Sequence, residues 1–110
     1  MSVYVGRAED YMRERAADPI RIAEIAMAAG CSVRTLNAVF RKFRGLTPLA
    51  ALHGFRLEEA RSALIREGGT LPVRVIARRY GFTNSARFAE AFRRRFGETP
   101  TDVHRRASCP

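Results

Sequence analysis

Apolar residues recur along this chain at helical spacing, and the spacing breaks only where Gly, Pro or a capping residue stands. Ala8, Tyr11 and Met12 form the inner stripe of a first predicted helix, about Arg7 to Ala16, which must stop before Asp18-Pro19 because the residue preceding a proline is disfavoured in the α region. Ile22, Ile25, Ala26 and Ala29 share one face of a second helix, and Gly30 supplies the left-handed residue that ends it. Ser32 can cap a third helix running to about Arg44, with Val33, Leu36, Phe40 and Phe43 expected to face inward. Thr47-Pro48 opens a long fourth helix, to about Arg66, because a hydroxyl cap followed by Pro at the first helical position is a strong start signal. A fifth helix is expected from about Val73 to Tyr80, a sixth from about Ser85 to Arg95 with Asn84 or Thr83 as its cap, and a short seventh from Thr99-Pro100. The extended stretches are too short for a sheet, so the predicted fold is all-α with seven helices.

The same pattern occurs twice. Ile22, Ile25, Ala26 and Gly30 return as Val73, Ile76, Ala77 and Gly81, while Leu36, Phe40, Gly45, Thr47 and Pro48 return as Phe88, Phe92, Gly97, Thr99 and Pro100. The offset is 51 residues before the turn and 52 after it, so the second turn holds one more residue. A helix-turn-helix needs a small residue where its helices cross and a Gly in the turn, and Ala26 with Gly30, and Ala77 with Gly81, meet that need. The predicted organisation is a single domain over 1–110, with one helix-turn-helix subdomain at about 7–46, a linker helix at 47–67 and a second subdomain at 72–106.

Charge narrows the partner. Twenty Lys and Arg against 11 Asp and Glu give a formal net charge of +9, which favours a polyanion without choosing among DNA, RNA and an anionic membrane. Its placement says more: no acid stands between Ile25 and Leu57, whereas Glu9, Asp10, Glu14, Asp18 and Glu24 crowd the early chain. No apolar run reaches the ~20 residues that span a bilayer, and the start has no signal-peptide core, so a cytoplasmic location is expected and no membrane partner. Cys31 and Cys109 lie in no metal-ligand spacing and read as a small buried thiol and a tail thiol. His53 and His104 have no paired ligand or nucleophile beside them and read as surface or capping residues. No cofactor, metal or catalytic residue is expected.

The outer faces carry the chemistry. On the third helix they hold Arg34, Asn37, Ala38 and Arg41; on the sixth, Ala86, Ala89, Glu90 and Arg93, with Arg87 on the flank. Both sets are free of large apolar side chains and suit a major groove ~12 Å wide. Phe40, Phe43, Phe88, Phe92 and Phe96 follow the inner stripe, which makes them core rather than base-stacking groups. Of Arg93, Arg94 and Arg95, Arg93 is the expected phosphate contact.

The RLEEARSAL segment at 56–64, the IARRYGF segment at 76–82 and the closing FAEAFRRRFGETP at 88–100 resemble the DNA-binding domain of AraC/XylS-type transcriptional regulators, over nearly the whole chain. The resemblance implies sequence-specific binding of promoter DNA, with two recognition helices in successive major grooves and the fourth helix joining their units. It implies base contacts from Arg34, Asn37 and Ala38 and from Ser85, Ala86, Arg87, Ala89 and Glu90. Phosphate contacts are expected from Ser32, Arg41, Lys42, Thr83, Asn84 and Arg93. Where family members often carry Ser or Thr before the second and fifth helices, this chain has Arg21 and Pro72; where a Gln-Arg pair is common, it has Asn37-Ala38. Such regulators often carry an effector-binding or dimerising domain ahead of this one, and that domain is expected to be missing here. RNA polymerase is a candidate second partner, and the isolated chain is expected to be a monomer because its apolar residues are accounted for by inner helix faces.

Two other readings compete. A non-specific architectural or RNA-binding protein would show intercalating wedges, exposed aromatics or glycine-rich clamps, and the chain shows none of these. A module associated with a DNA-repair alkyltransferase would need an activated cysteine, and Cys31 stands at a helix-turn-helix turn with no activating Cys or His beside it.

Overall fold

The computed structural model describes residues 2–108, and among them only helices and their connections occur. The helices are α1 (Val3–Glu14), α2 (Ile22–Ala29), α3 (Val33–Arg44), α4 (Pro48–Glu67), α5 (Val73–Arg79), α6 (Ser85–Phe96) and α7 (Pro100–Ser108). The chain divides into two compact units at Phe55/Arg56, inside α4. In the first unit Val5, Ala8 and Met12 of α1 pack with Ile25, Ala26 and Ala29 of α2, Leu36 and Phe40 of α3, and Leu52 of α4. In the second, Leu57, Ala60, Ala63 and Leu64 of α4 meet Ile76, Ala77 and Tyr80 of the α5 end, Phe88 and Phe92 of α6, and Val103 of α7. The repeat is therefore a repeat of packing: Phe40 and Phe92, Ile25 and Ile76, and Leu36 and Phe88 hold equivalent buried places.

The first helix of each helix-turn-helix pair, α2 and α5, ends in one geometry. Gly30 and Gly81 take φ of 85° and 87°. Cys31 N–H then donates to the Ala26 carbonyl and Phe82 N–H to the Ala77 carbonyl, each at 3.0 Å, while Gly30 and Gly81 donate to Met27 and Arg78 at 3.1 and 3.0 Å. This paired closure is a Schellman motif, and a side chain at the glycine would be strained by the left-handed backbone. The second helices are capped as predicted from Ser32, whose Oγ accepts from Thr35 N–H at 3.1 Å, and from Asn84, whose Oδ1 accepts from Arg87 N–H at 3.0 Å. Arg21 and Pro72 make no side-chain cap, as their identities require. Thr99 and Asp102 form a reciprocal capping box at the start of α7, each backbone N–H meeting the other's side-chain oxygen at 3.1 Å.

Several expectations need correction. The first helix begins at Val3 rather than Arg7 and ends at Glu14, before Ala16. Val3, Tyr4, Val5 and Gly6 are poor helix formers, but Val5 lies one turn before Ala8 on the buried stripe, and that burial outweighs propensity. Tyr11 is only half-buried at the rim of this core. Phe43 and Val33 do not face inward; they are 39 % and 36 % exposed. Their counterparts in the second copy are Arg95 and Ser85, so the repeat already marked both places as solvent-facing. Phe96 is half-buried against the second core. His104, expected as a surface or capping residue, is part-buried, and its Nε2 lies 2.7 Å from the Leu71 carbonyl oxygen, which it meets as donor in the tautomer carrying the Nε2 proton. The inner faces also leave some large apolar side chains uncovered, Met27 at 81 % exposure and Leu49 at 59 % among them. Cys109 lies outside the described residues.

Arginine–carboxylate pairs tie helices together within each unit. Arg44 grips both oxygens of Glu9 at 2.9 Å, joining α3 to α1. In the second unit Glu98 is shared between Arg106, at 2.7 and 2.9 Å, and Arg61, at 3.4 Å. The Arg44 guanidinium holds the Glu9 carboxyl below its ordinary value of 4.5, and Arg106 with Arg61 does the same to Glu98. A carboxylate whose pKa is depressed by folding stabilises fully above its ordinary value and loses that contribution as pH falls through the lowered one. Stability should therefore decline below about pH 4.5, and Glu9→Gln should lower the urea midpoint at pH 7 while making the acid-side decline shallower. An unchanged acid limb in Glu9→Gln would show that the pair contributes nothing to the titration.

Gly68 and Gly6 give a second, opposed pair of predictions. A Cβ at Gly68 would lie 2.5 Å from the Leu64 carbonyl oxygen and 2.9 Å from the Ala107 Cβ, whereas a Cβ at Gly6, inside α1, would meet nothing within 4 Å. Gly68→Ala should destabilise by about 1 to 3 kcal/mol through overpacking of α7 on the end of α4. Gly6→Ala should stabilise by roughly 0.5 to 1 kcal/mol by removing backbone freedom from the unfolded chain. Urea denaturation of both variants checks the signs.

Candidate nucleic-acid interface

The residues expected to meet DNA all lie on α3, α6 and the turns that precede them. Arg34, Asn37, Ala38, Arg41 and Lys42 are exposed on α3, as is its cap Ser32. Thr83, Asn84, Ser85, Ala86, Arg87, Glu90 and Arg93 are exposed at and beyond the start of α6, and Ala89 is half-buried. Each helix is amphipathic for the same reason: Leu36 and Phe40, or Phe88 and Phe92, are fixed in a core, which turns the intervening positions outward. The structure brings each set together within its own unit.

Ion pairing separates the cations into two groups. Arg44 is committed to Glu9, Arg94 to Glu90 at 2.7 Å and Arg95 to Glu58 at 2.5 Å. Among the described residues Arg34, Arg41, Arg87 and Arg93 hold no ion pair. These are four of the five candidate cations; the fifth, Lys42, places its ammonium 5.3 Å from the Phe43 ring centre. An unpaired guanidinium can meet a phosphate or a guanine edge without first breaking an internal pair, so the free charge stands where a polyanion is expected. Glu90 differs from its neighbours in being neutralised locally, its carboxylate turned along the helix to Arg94.

Two candidates have part of their chemistry already in use. The Ser32 hydroxyl donates to Thr35 Oγ1 at 3.1 Å as well as accepting from Thr35 N–H. Asn84 keeps its amide N–H₂ available beyond the cap. Thr83 is not the cap; it is the extra residue of the second turn and stands exposed. Cys31 is half-buried, and burial pushes its thiol up, away from the thiolate form. Beside α6 the structure opens a groove of about 290 Å³ lined by Val73, Arg74 and Ala77 of α5, Ser85, Ala86, Phe88 and Ala89 of α6, and Pro100 and Thr101 of α7. Arg74 and Thr101 were not among the residues singled out from sequence. The missed signal is internal: their counterparts in the first copy are Ala23 and Leu49, so these two positions change from apolar to polar between copies.

Two capped helices with cationic outer faces, each held across a short glycine turn by a shorter helix, define a protein of the helix-turn-helix class built twice over. Residues 25–106 match the family described as helix-turn-helix domain. A solved structure of a probable AraC family transcriptional regulator from Rhodopseudomonas palustris is 32 % identical, with a TM-score of 0.86 over 98 % of this chain and 100 % of that one. The probable thc operon regulatory protein of Rhodococcus erythropolis is 35 % identical over 86 % of this chain and 29 % of its own length. The XylDLEGF operon transcriptional activator 2 of Pseudomonas putida is 32 % identical over 88 % of this chain and 62 % of its own. This chain belongs to the AraC/XylS-type helix-turn-helix family. It is a DNA-binding module of transcription regulation, and it spans less than two thirds of the length of these curated relatives. No helix among the described residues is long and apolar enough to cross a membrane.

The caps can be tested apart from DNA. Asn84→Ala removes the acceptor for Arg87 N–H and should cost about 1 kcal/mol, within the range of roughly 0.5 to 2 known for such caps. Thr83→Ala removes no cap and should stay within about 0.5 kcal/mol of the parent chain. Equal losses in the two variants, measured by urea unfolding, would contradict the assignment of Asn84.

Proposed function

We propose that a single chain reads a non-palindromic duplex site of about 20 base pairs by placing α3 and α6 in successive major grooves. The observation that carries this reading is the duplicated exposed helix, each copy presenting two guanidinium groups that hold no ion pair among the described residues. Arg34 has the fork geometry for guanine O6 and N7, and Asn37 can bond adenine N6 and N7. Ala38, Ala86 and Ala89 offer methyl contact to thymine, while Ser85, Arg87 and Glu90 complete the second reading set. Ser32, Arg41, Lys42, Thr83, Asn84 and Arg93 hold phosphates and so fix register. Because α6 offers chiefly small side chains and a neutralised acid, the first unit does most of the base discrimination.

The chain acts as a promoter-binding module in the cytoplasm, with RNA polymerase as its protein partner, and not as an enzyme. The raised thiol of Cys31 supports the last point, since a sacrificial or nucleophilic cysteine needs its pKa lowered. Its tandem units need no two-fold axis, so it binds as a monomer. A stable dimer by sedimentation at micromolar concentration without DNA would overturn that.

Inserting about half a helical turn, roughly five base pairs, between the two contacted segments should abolish tight binding, because it rotates one groove to the far side of the duplex. Footprints unaffected by the insertion would rule out the two-groove arrangement. Arg34→Ala and Asn37→Ala should each cost about 1 to 3 kcal/mol and relax preference at one base pair, whereas Arg93→Ala should weaken all sequences alike and reduce the salt slope by about one. Affinities on the selected site and its single-base variants, at several salt concentrations, distinguish the two classes. If Arg93→Ala alters base preference and the α3 variants do not, the roles are reversed.

A further inference from the structure

The groove between α5, α6 and the start of α7 has a mixed lining that its own packing does not require. Val73, Ala77 and Phe88 supply an apolar floor, and Arg74, Ser85 and Thr101 supply a cation and two hydroxyls, all three exposed. The first unit builds the same scaffold with Ala23, Val33 and Leu49 at those three positions. All three places are exposed in both units, so neither core depends on them, and the polar set of the second unit answers to something other than folding. The groove is also continuous with the reading face, since Ser85, Ala86 and Ala89 belong to both.

We propose that this groove seats the sugar-phosphate backbone of one DNA strand, with Arg74 on a phosphate, Thr101 as a hydroxyl donor to its oxygens, the apolar floor against the deoxyribose, and Ser85 at the boundary with the base-reading set. Charge complementarity favours this occupant. Arg74 holds no ion pair among the described residues, nor does Arg78 one turn further along α5, where the first unit has Met27. The two acids adjacent to the lining in sequence are both engaged, Asp102 with Thr99 N–H in the capping box and Glu90 with Arg94 at 2.7 Å. The small side chains of α6 that weaken its base reading are the ones that leave the groove open: Ala86 and Ala89 stand where the first unit has Arg34 and Asn37. The second unit thus exchanges base contacts for a firmer hold on the backbone. The inference rests on the reading of α6 as a DNA-facing helix.

Arg74→Gln, Arg74→Lys and Thr101→Val test it on the selected duplex and on random duplex, by affinity across salt concentrations and by phosphate-ethylation interference. Arg74→Gln should weaken binding about tenfold on both duplexes, as expected for loss of a charge-assisted contact. It should also lower the slope of log affinity against log salt by about one, and erase interference at one phosphate in the second half of the footprint. Arg74→Lys should keep the slope, and Thr101→Val should weaken binding on both duplexes without changing it. An unchanged slope and interference map in Arg74→Gln, or a change confined to base preference, would overturn the proposal. A parent chain with no ethylation interference in the second half of its site would instead show that α6 does not face DNA, which is a failure of the underlying reading and separable from failure of the groove.

Discussion

The packing of a buried alanine and a left-handed glycine between two helices governs the rest of each unit. Ala26 and Ala77 are almost wholly buried in the cores that also hold the second helix of each pair, and a larger side chain there would have to displace packed neighbours. The left-handed glycine that follows turns the chain at once, and the Schellman bonds satisfy the helix-end carbonyls that would otherwise be lost to solvent. With packing and turn fixed, Leu36 and Phe40, or Phe88 and Phe92, have only one way to reach the core, and the opposite face of each helix is directed outward. The position of every candidate DNA contact is a consequence of that packing.

Much of this was legible in the residues because the signals were short-range. The glycine turns, the Ser32 and Asn84 caps and the starts at Pro48 and Pro100 depend on local backbone chemistry, and the boundaries they imply hold to within a residue or so. The start of α1 was not legible. Nothing local favours a helix at Val3 to Gly6, and only the burial of Val5 against the first core selects it. Phe43 misled for a related reason: its size and helical phase suit a core, but in the fold it stays 39 % exposed and joins neither core.

The candidate interface was legible as a set of positions and not as an electrostatic arrangement. Helical phase alone selects Arg34, Asn37, Arg41 and Arg93. It could not tell which arginines are spent on carboxylates, because Glu9 with Arg44 and Glu58 with Arg95 are joined across 35 and 37 residues of sequence. Nor could it find Arg74 and Thr101, which come from two different helices and converge only in the folded second unit.

The exposed positions of α3 and α6 have a further consequence for how such a module changes over generations. Asn37, Ala38 and Ala86 hold no core place, cap or ion pair among the described residues, so exchanging them would alter the proposed reading surface and leave the cores, the turns and the arginine–carboxylate ties as they were. Surface substitutions of that kind usually change stability by no more than about 0.5 kcal/mol. On the proposed reading, target preference can drift on a scaffold whose foldability is set elsewhere, and a duplicated unit would let one copy change its preference while the other keeps the chain on DNA.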